Sequence, residues 1–77
     1  MPRLRMPDRQ QEIYNELVDS AGGARMLALR DIAHFMGRDD RAARKFVNGK
    51  DVPAFDINGI KRYSARDVAK AIYYSEA

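Results

Sequence analysis

The chain has 77 residues, no cysteine, a single histidine and a net charge of +3. This length predicts one small domain over residues 1–77, and the lack of cysteine with only one histidine excludes a disulfide framework and argues against a metal site or other cofactor. No apolar run is long enough for a signal peptide or a membrane span, so we expect a cytoplasmic protein with no membrane partner.

The first predicted helix covers Asp8–Ser20. Ile13 and Leu17 fall on one helical stripe, and the pair Gly22-Gly23 just beyond the segment is a strong stop signal. The polar face of this helix carries charges of both signs. A packing or dimerisation role is therefore favoured over contact with DNA.

A short strand at Met26-Leu27 and a second helix over residues 29–36 are predicted next. The apolar residues of this helix have the i, i+3, i+4, i+7 spacing, and Gly37 ends it where a left-handed residue costs least. Asp39 then stands at the N-cap position of a third helix, which runs from Asp40 to about Asn48. The aspartates here are expected to start a helix and need not face a ligand.

The third helix has two distinct faces. Its inward stripe is Ala43, Phe46 and Val47, and its other face carries Arg41, Arg44, Lys45 and Asn48. Residues 21–51 hold seven basic and four acidic side chains, whereas residues 1–20 hold three and four. Clustered positive charge is what a phosphate-binding surface requires. An ordinary solvated helix can have the same composition, so charge alone leaves both interpretations open.

A β-hairpin is predicted around Asn58-Gly59, the strongest short hairpin signal. A two-residue turn would pair Asp56 with Lys61 and put Tyr63 on the face opposite Phe55. One further turn residue would reverse the faces and send Tyr63 inward, and we favour this longer turn.

A last helix starts near Ser64, with Asp67 at the third position and an apolar stripe that includes Val68 and Ile72. The predicted fold is mainly α with a small β-hairpin. The order is helix, short strand, helix, helix, hairpin, helix.

Several of these pieces together carry a family resemblance. Two helices meet across the turn at Gly37, and a joint at Gly49–Ala54, a hairpin at Ile57–Tyr63 and a helix containing Asp67-Val68 follow. In this order, residues 26–73 resemble the winged helix-turn-helix of the excisionase and MerR-like DNA-binding families. They are also similar to the DNA-binding domains of phage terminase small subunits.

The chain departs from the family pattern in three places. Arg38 follows the turn glycine where the family usually has an apolar residue, and Asp39 replaces the usual hydroxyl cap. The helix at residues 8–20 is an addition ahead of the family core. The sequence given also ends at Ala77, before the long dimerisation helix and effector domain of MerR regulators, which favours a small accessory factor.

The resemblance implies sequence-specific binding of double-stranded DNA, without enzymatic activity, by an excisionase, a recombination directionality factor or a regulator on a mobile element. The recognition helix would present Arg41, Arg44, Lys45 and Asn48 to a major groove, and Lys61 and Arg62 on the wing would meet the flanking backbone or the minor groove. Arg30 and Arg38 are weaker candidates for phosphate contacts.

Protein contacts are expected alongside DNA, because a footprint this small gives modest affinity. Self-association, or a recombinase-type or relaxase-type partner, would use the first helix and the terminal tyrosines. The rival function is a protein–protein interaction module on the same scaffold without DNA binding. Outward-pointing carboxylates at Asp39, Asp40 and Asp51 would favour that rival.

Overall fold

The computed structural model describes residues 7–76, so expectations that concern residues 1–6 and Ala77 lie outside the described part. The elements are α1 (Asp8–Ser20), β1 (Met26–Leu27), α2 (Leu29–Met36), α3 (Asp40–Gly49), β2 (Ala54–Ile57), β3 (Ile60–Ser64) and α4 (Ala65–Glu76). This order confirms the predicted succession of elements and the mainly helical class. The strands form an antiparallel sheet in the order β1-β3-β2. Within residues 7–76, no helix has both the length and the apolar character needed to cross a bilayer.

Helix α1 packs along α4, which brings the first and last described helices together. Ile13 and Leu17, the stripe predicted from the sequence, are each 1% exposed, and Val68 of α4 is fully buried. Burial of an aliphatic side chain of this size stabilises a fold by about 1.5–3 kcal/mol relative to leaving it in water. The apolar stripe of α1 is therefore used within the chain, in the packing role that the sequence favoured.

An exposed ion pair joins the ends of these two helices. The Arg9 guanidinium donates from Nη2 to Oε1 of Glu76 at 2.9 Å and from Nε to Oε2 at 3.1 Å. Nη1 also donates to Glu12 at 3.2 Å. These hydrogen bonds hold the pKa of the Glu76 carboxyl below its ordinary value. Exposed pairs of this kind contribute little free energy, because water and salt screen them.

The turn between α2 and α3 is closed by hydrogen bonds at both of its ends. Gly37 has φ of 67°, and the N–H of Arg38 donates to the carbonyl of Ala33 at 2.9 Å. On the other side, Oδ1 of Asp39 accepts from the N–H of Ala42 at 2.8 Å. The predicted glycine stop and the predicted aspartate cap are both confirmed.

The hairpin has a two-residue turn, so the longer turn favoured from the sequence is wrong. Ile57 pairs with Ile60, and Asp56 pairs with Lys61. Asn58 and Gly59 have φ of 54° and 79°. Positive φ at both central residues is the signature of a type I′ turn, whose twist matches that of the two strands.

The length of the turn depends on which face of the hairpin packs on the core. Tyr63 is 7% exposed and lies opposite Leu27 of β1, which is fully buried. With Tyr63 in the core, a two-residue turn places Phe55 and Ile57 on the other face, where they are 47% and 48% exposed. The longer turn predicted from the sequence requires these two apolar residues to face inward, and they face outward.

We expect Gly37→Ala to lower the free energy of unfolding by about 1–2 kcal/mol, because alanine at positive φ brings its Cβ too close to the following carbonyl oxygen. Gly49→Ala is the matched control, because Gly49 lies in α3 without positive φ and an added Cβ meets nothing within 4 Å. It should raise the free energy of unfolding by up to about 1 kcal/mol. Urea denaturation of the three proteins measures both changes, and equal effects of the two substitutions would contradict this account.

The ion pair between α1 and α4 predicts an acid-dependent contribution to stability. Because the pKa of Glu76 is lowered in the folded chain, the pair stabilises the fold above the ordinary glutamate pKa, and this is lost as the pH falls through the lowered value. In an NMR titration, Arg9→Gln should return the pKa of Glu76 toward its ordinary value. Arg25→Gln, which removes an arginine outside the pair, should leave it unchanged. An unaltered pKa in Arg9→Gln would show that the pair does not form in solution.

Candidate functional site

The outward face of α3 is polar along its whole length. Arg41, Arg44, Lys45 and Asn48 are all exposed, while Ala43 and Val47 are 0% and 1% exposed on the opposite side. The four polar residues are spaced i, i+3, i+4 and i+7, which places them on one side of a helix. The predicted two-faced character of this helix is confirmed.

An open depression of about 790 Å³ lies beside this face. Arg44 and Asn48 of α3 line one part of it, Arg30 at the start of α2 lines another, and Lys61 of β3 lines a third. Side chains from three separate elements therefore border one concave surface. The structure brings together four of the eight residues that the sequence analysis singled out.

The hairpin register decides which wing residue reaches this depression. Lys61 lies on the same face of β3 as Tyr63, two residues along the strand, and both line the depression. Arg62 lies on the opposite face beside Phe55 and is half-buried. The two basic residues predicted to act together on the wing therefore lie on opposite faces of β3.

The remaining candidates lie around the edge of this surface. Arg41 lines a smaller depression of about 370 Å³ together with Asp40 and Arg44. Lys45 is exposed on α3, and Arg38 is exposed in the turn between α2 and α3. Neither of these two residues lines either depression.

The cations at this surface have no carboxylate partner among residues 7–76. The ion pairs found within that range are those of Arg9 with Glu12 and with Glu76, at the far ends of α1 and α4. Asp40 is the acidic residue among those lining the two depressions. The carboxylate of Asp39 accepts the N-cap hydrogen bond of α3. Unpaired cations clustered on one face raise the local positive potential and attract anionic ligands.

The side-chain chemistry fits recognition of phosphates and base edges. Guanidinium groups donate two parallel hydrogen bonds to a phosphate or to the O6 and N7 atoms of guanine, and an asparagine amide matches the acceptor and donor of adenine. His34 is exposed on α2. In the described part of the chain, no three His, Asp or Glu side chains are grouped so that they could hold a metal ion.

Arg30 was a candidate from the sequence, but its neighbours Ala28 and Leu29 were not predicted to border the site. Ala28 and Leu29 line the depression together with Arg30, and Oδ2 of Asp31 accepts from the N–H of Ala28 at 3.0 Å. Ile60 was also missed as a lining residue. For Lys61 the Asn58-Gly59 pair was the available signal, because a type I′ turn fixes the register and hence the face on which Lys61 lies. No local signal indicated Ile60, which borders the depression from beside the turn.

Comparison with known proteins gives no further guide to this site. No protein-family model matches the chain, and no curated protein or solved structure shows significant similarity to it. The function must therefore be inferred from the geometry and the charge of the chain itself.

The cap at the start of α3 predicts different effects for its two aspartates. Asp39→Ala should lower the free energy of unfolding by about 1 kcal/mol, because the N–H of Ala42 loses its acceptor. Asp40→Ala removes only a charge near the positive end of the helix and should cost about 0.3 kcal/mol. Urea denaturation compares the two variants. A larger loss for Asp40→Ala would contradict the assignment of the cap.

Proposed function

We propose that this chain is a winged helix-turn-helix protein that binds double-stranded DNA without enzymatic activity. In this proposal α2 and α3 are the helix pair, β2 and β3 form the wing, and α1 is an added packing helix. One observation supports this proposal most directly: Arg30, Arg44 and Lys61, from three different elements, line one depression. No carboxylate within residues 7–76 forms an ion pair with any of them.

The dimensions of α3 support its role as the recognition helix. Its ten residues form a helix about 15 Å long, and an α-helix with its side chains is about 10–12 Å across, which a major groove about 12 Å wide admits. Arg44 and Asn48 lie on the side of α3 that faces the wing, and Arg41 and Lys45 complete the exposed face. In our proposal this face enters the major groove, where the arginines and the asparagine have the geometry to read guanine and adenine.

The depression supports a path for one DNA backbone beside α3. A backbone that ran between α3 and the wing would pass the cations of Arg30 and Lys61. Such contacts position a protein on the duplex and supply affinity by releasing counterions. We assign the wing contact to Lys61, because Arg62 is half-buried on the opposite face.

The biological role that we propose is that of an accessory or regulatory factor on mobile DNA. Its support is the resemblance of residues 26–73 to excisionases, together with a recognition surface that is small. Such a surface gives modest affinity, so action at a specific site would require repeated sites or a protein partner.

Fluorescence anisotropy with random duplex DNA at about 50 and 200 mM salt tests the proposal. We expect the affinity of the wild-type chain to fall steeply with salt. Arg44→Ala and Lys61→Ala should each weaken binding and reduce the salt slope by about 1 where a phosphate contact is lost. Lys70→Ala on α4 makes the same charge change as Lys61→Ala away from the depression and should leave the slope unchanged.

Arg62→Ala is a second control, because it removes a neighbouring charge from the other face of the wing. It should cost less affinity than Lys61→Ala. If the wild-type chain does not bind duplex DNA even at low salt, the proposal that it is a DNA-binding protein is overturned. The exposed Asp40 and Asp51 would then favour the rival function, a protein-interaction module on this scaffold.

A further inference from the structure

The outer edge of the sheet is unpaired within the described residues. Strand β2 lies at the end of the order β1-β3-β2, and the strand pairings found there join it only to β3. All four residues of β2 are exposed. An edge strand of this kind presents a row of free backbone groups to any strand that can pair with it.

The turn determines which backbone groups point outward. Ile57 and Ile60 flank a two-residue turn and form a hydrogen-bonded pair, and alternation makes Phe55 and Arg62 the next such pair. The N–H and C=O groups of Ala54 and Asp56 therefore point away from β3. Among residues 7–76, no other backbone group bonds to them.

The side chains of the same strand leave an apolar face uncovered. Phe55, Ile57 and the facing Ile60 are 47%, 48% and 54% exposed. Edge strands are commonly protected from pairing by charged side chains or by proline. β2 contains no proline, and the side chain of its one charged residue, Asp56, lies on the face opposite Phe55 and Ile57. Both the edge and the face of β2 are thus open to association.

We propose that β2 pairs antiparallel with β2 of a second copy of this chain, across a two-fold axis at Phe55. Ala54 of each copy would lie opposite Asp56 of the other, and Phe55 would lie opposite Phe55 of the second copy. This inference is independent of the proposed DNA binding, because no residue of the pairing strand Ala54–Ile57 lines the depression beside α3.

The strand is complementary to itself in this register. The outward N–H and C=O groups of Ala54 and Asp56 on both copies find partners, and the two Phe55 rings meet at a close, non-hydrogen-bonded position. A shift by one residue would set the apolar face of one copy against the polar face of the other. A shift by two toward the turn would put Asp56 opposite Asp56, where like charges repel. A second copy therefore supplies a matching strand without any other protein.

The expected association is weak and stops at two copies. Two four-residue strands bury much less than the roughly 1,200 Å² of a standard stable interface. A two-fold contact uses the same surface on both copies and so closes on itself. We therefore expect a dimer that forms at high protein concentration and does not extend into a fibre.

Sedimentation velocity from about 10 µM to about 1 mM tests the pairing. The average mass of the wild-type chain should rise toward a plateau at twice the monomer. Phe55→Lys should remain monomeric, because it sets two lysines opposite each other. Tyr74→Lys makes the same change at a 61% exposed tyrosine of α4, one of the terminal tyrosines that offer an alternative contact, and should still associate. A wild-type chain that stays monomeric throughout, or a Phe55→Lys variant that still dimerises, would overturn the proposal.

A charge exchange tests the two-fold register. Phe55→Lys and Phe55→Glu should each be monomeric alone, and an equal mixture should form a heterodimer because lysine then faces glutamate. If the wild-type chain dimerises and the mixture does not, Phe55 is not on the axis and the register is overturned.

Amide hydrogen exchange of the wild-type chain provides a test that does not depend on any variant folding. The amides of Ala54 and Asp56 should exchange more slowly as the protein concentration rises, while those of Phe55 and Ile57, which already face β3, should change little. If exchange slowed equally at all four amides as the protein concentration rose, or slowed at none of them, edge pairing would be contradicted. If the chain stays monomeric but an added peptide of alternating apolar and polar residues protects the Ala54 and Asp56 amides, the edge takes a foreign strand and the second-copy proposal is overturned.

Discussion

The pairing of β3 with β1 is the constraint on which the functional surfaces depend. It sets Tyr63 opposite Leu27 inside the core, and so fixes which face of β3 is turned inward. Side chains alternate along a strand, so Lys61 is directed to the same side as Tyr63, next to α3. Phe55 on the facing strand is turned the other way. One buried contact thereby decides both the composition of the basic depression and the exposure of the apolar face of β2.

The helices pack around this sheet and form most of the core. Ile13 and Leu17 of α1 are buried in the core, and α1 packs along α4, so the first and last described helices lie side by side. Helix α4 follows β3 without a linker, which ties this helix pair directly to the sheet. The pair of Arg9 and Glu76 adds a directional contact at the far end of the same two helices. In a chain this short the fraction of surface that folding buries is small, so each fully buried aliphatic residue carries a large share of the stability. The proposed binding surface can therefore remain polar and open, because the core is formed elsewhere.

The positive charge of α3 stays exposed because the neighbouring aspartate, Asp39, is used as the N-cap of the helix. Asp39 lies directly ahead of the basic face, and its carboxylate is held against the first turn by the N–H of Ala42. It stabilises the helix start there and accepts no hydrogen bond from Arg41 or Arg44 in the described structure. The acidic residues that precede the basic cluster in sequence are thus compatible with a cationic surface, although Asp40 still lowers the potential at the edge of the depression. The proposed DNA interface and the proposed β2 edge lie on different parts of the wing, so a dimer through β2 would leave the basic face of each copy open.

Local signals in the sequence determined the elements of this protein. The helical stripe of α1, the stop at Gly37, the cap at Asp39 and the Asn58-Gly59 turn each act within a few residues, and each predicted feature is present. The two-faced pattern of α3 likewise identified its exposed polar residues, because burial follows the helical period.

The tertiary structure alone decided how these elements face one another. Whether Tyr63 or Phe55 points inward depends on the partner strand β1, which is separated from the hairpin by two helices and contributes only two residues. The alternation of Phe55 and Ile57 with polar residues fits either face of a sheet, so the sequence alone could not exclude the longer turn. For the same reason the sequence alone could not show that Lys61 and Arg62 lie on opposite sides of the sheet, or that Arg30 lies beside α3. Those relations arise from long-range packing, which a local pattern does not contain.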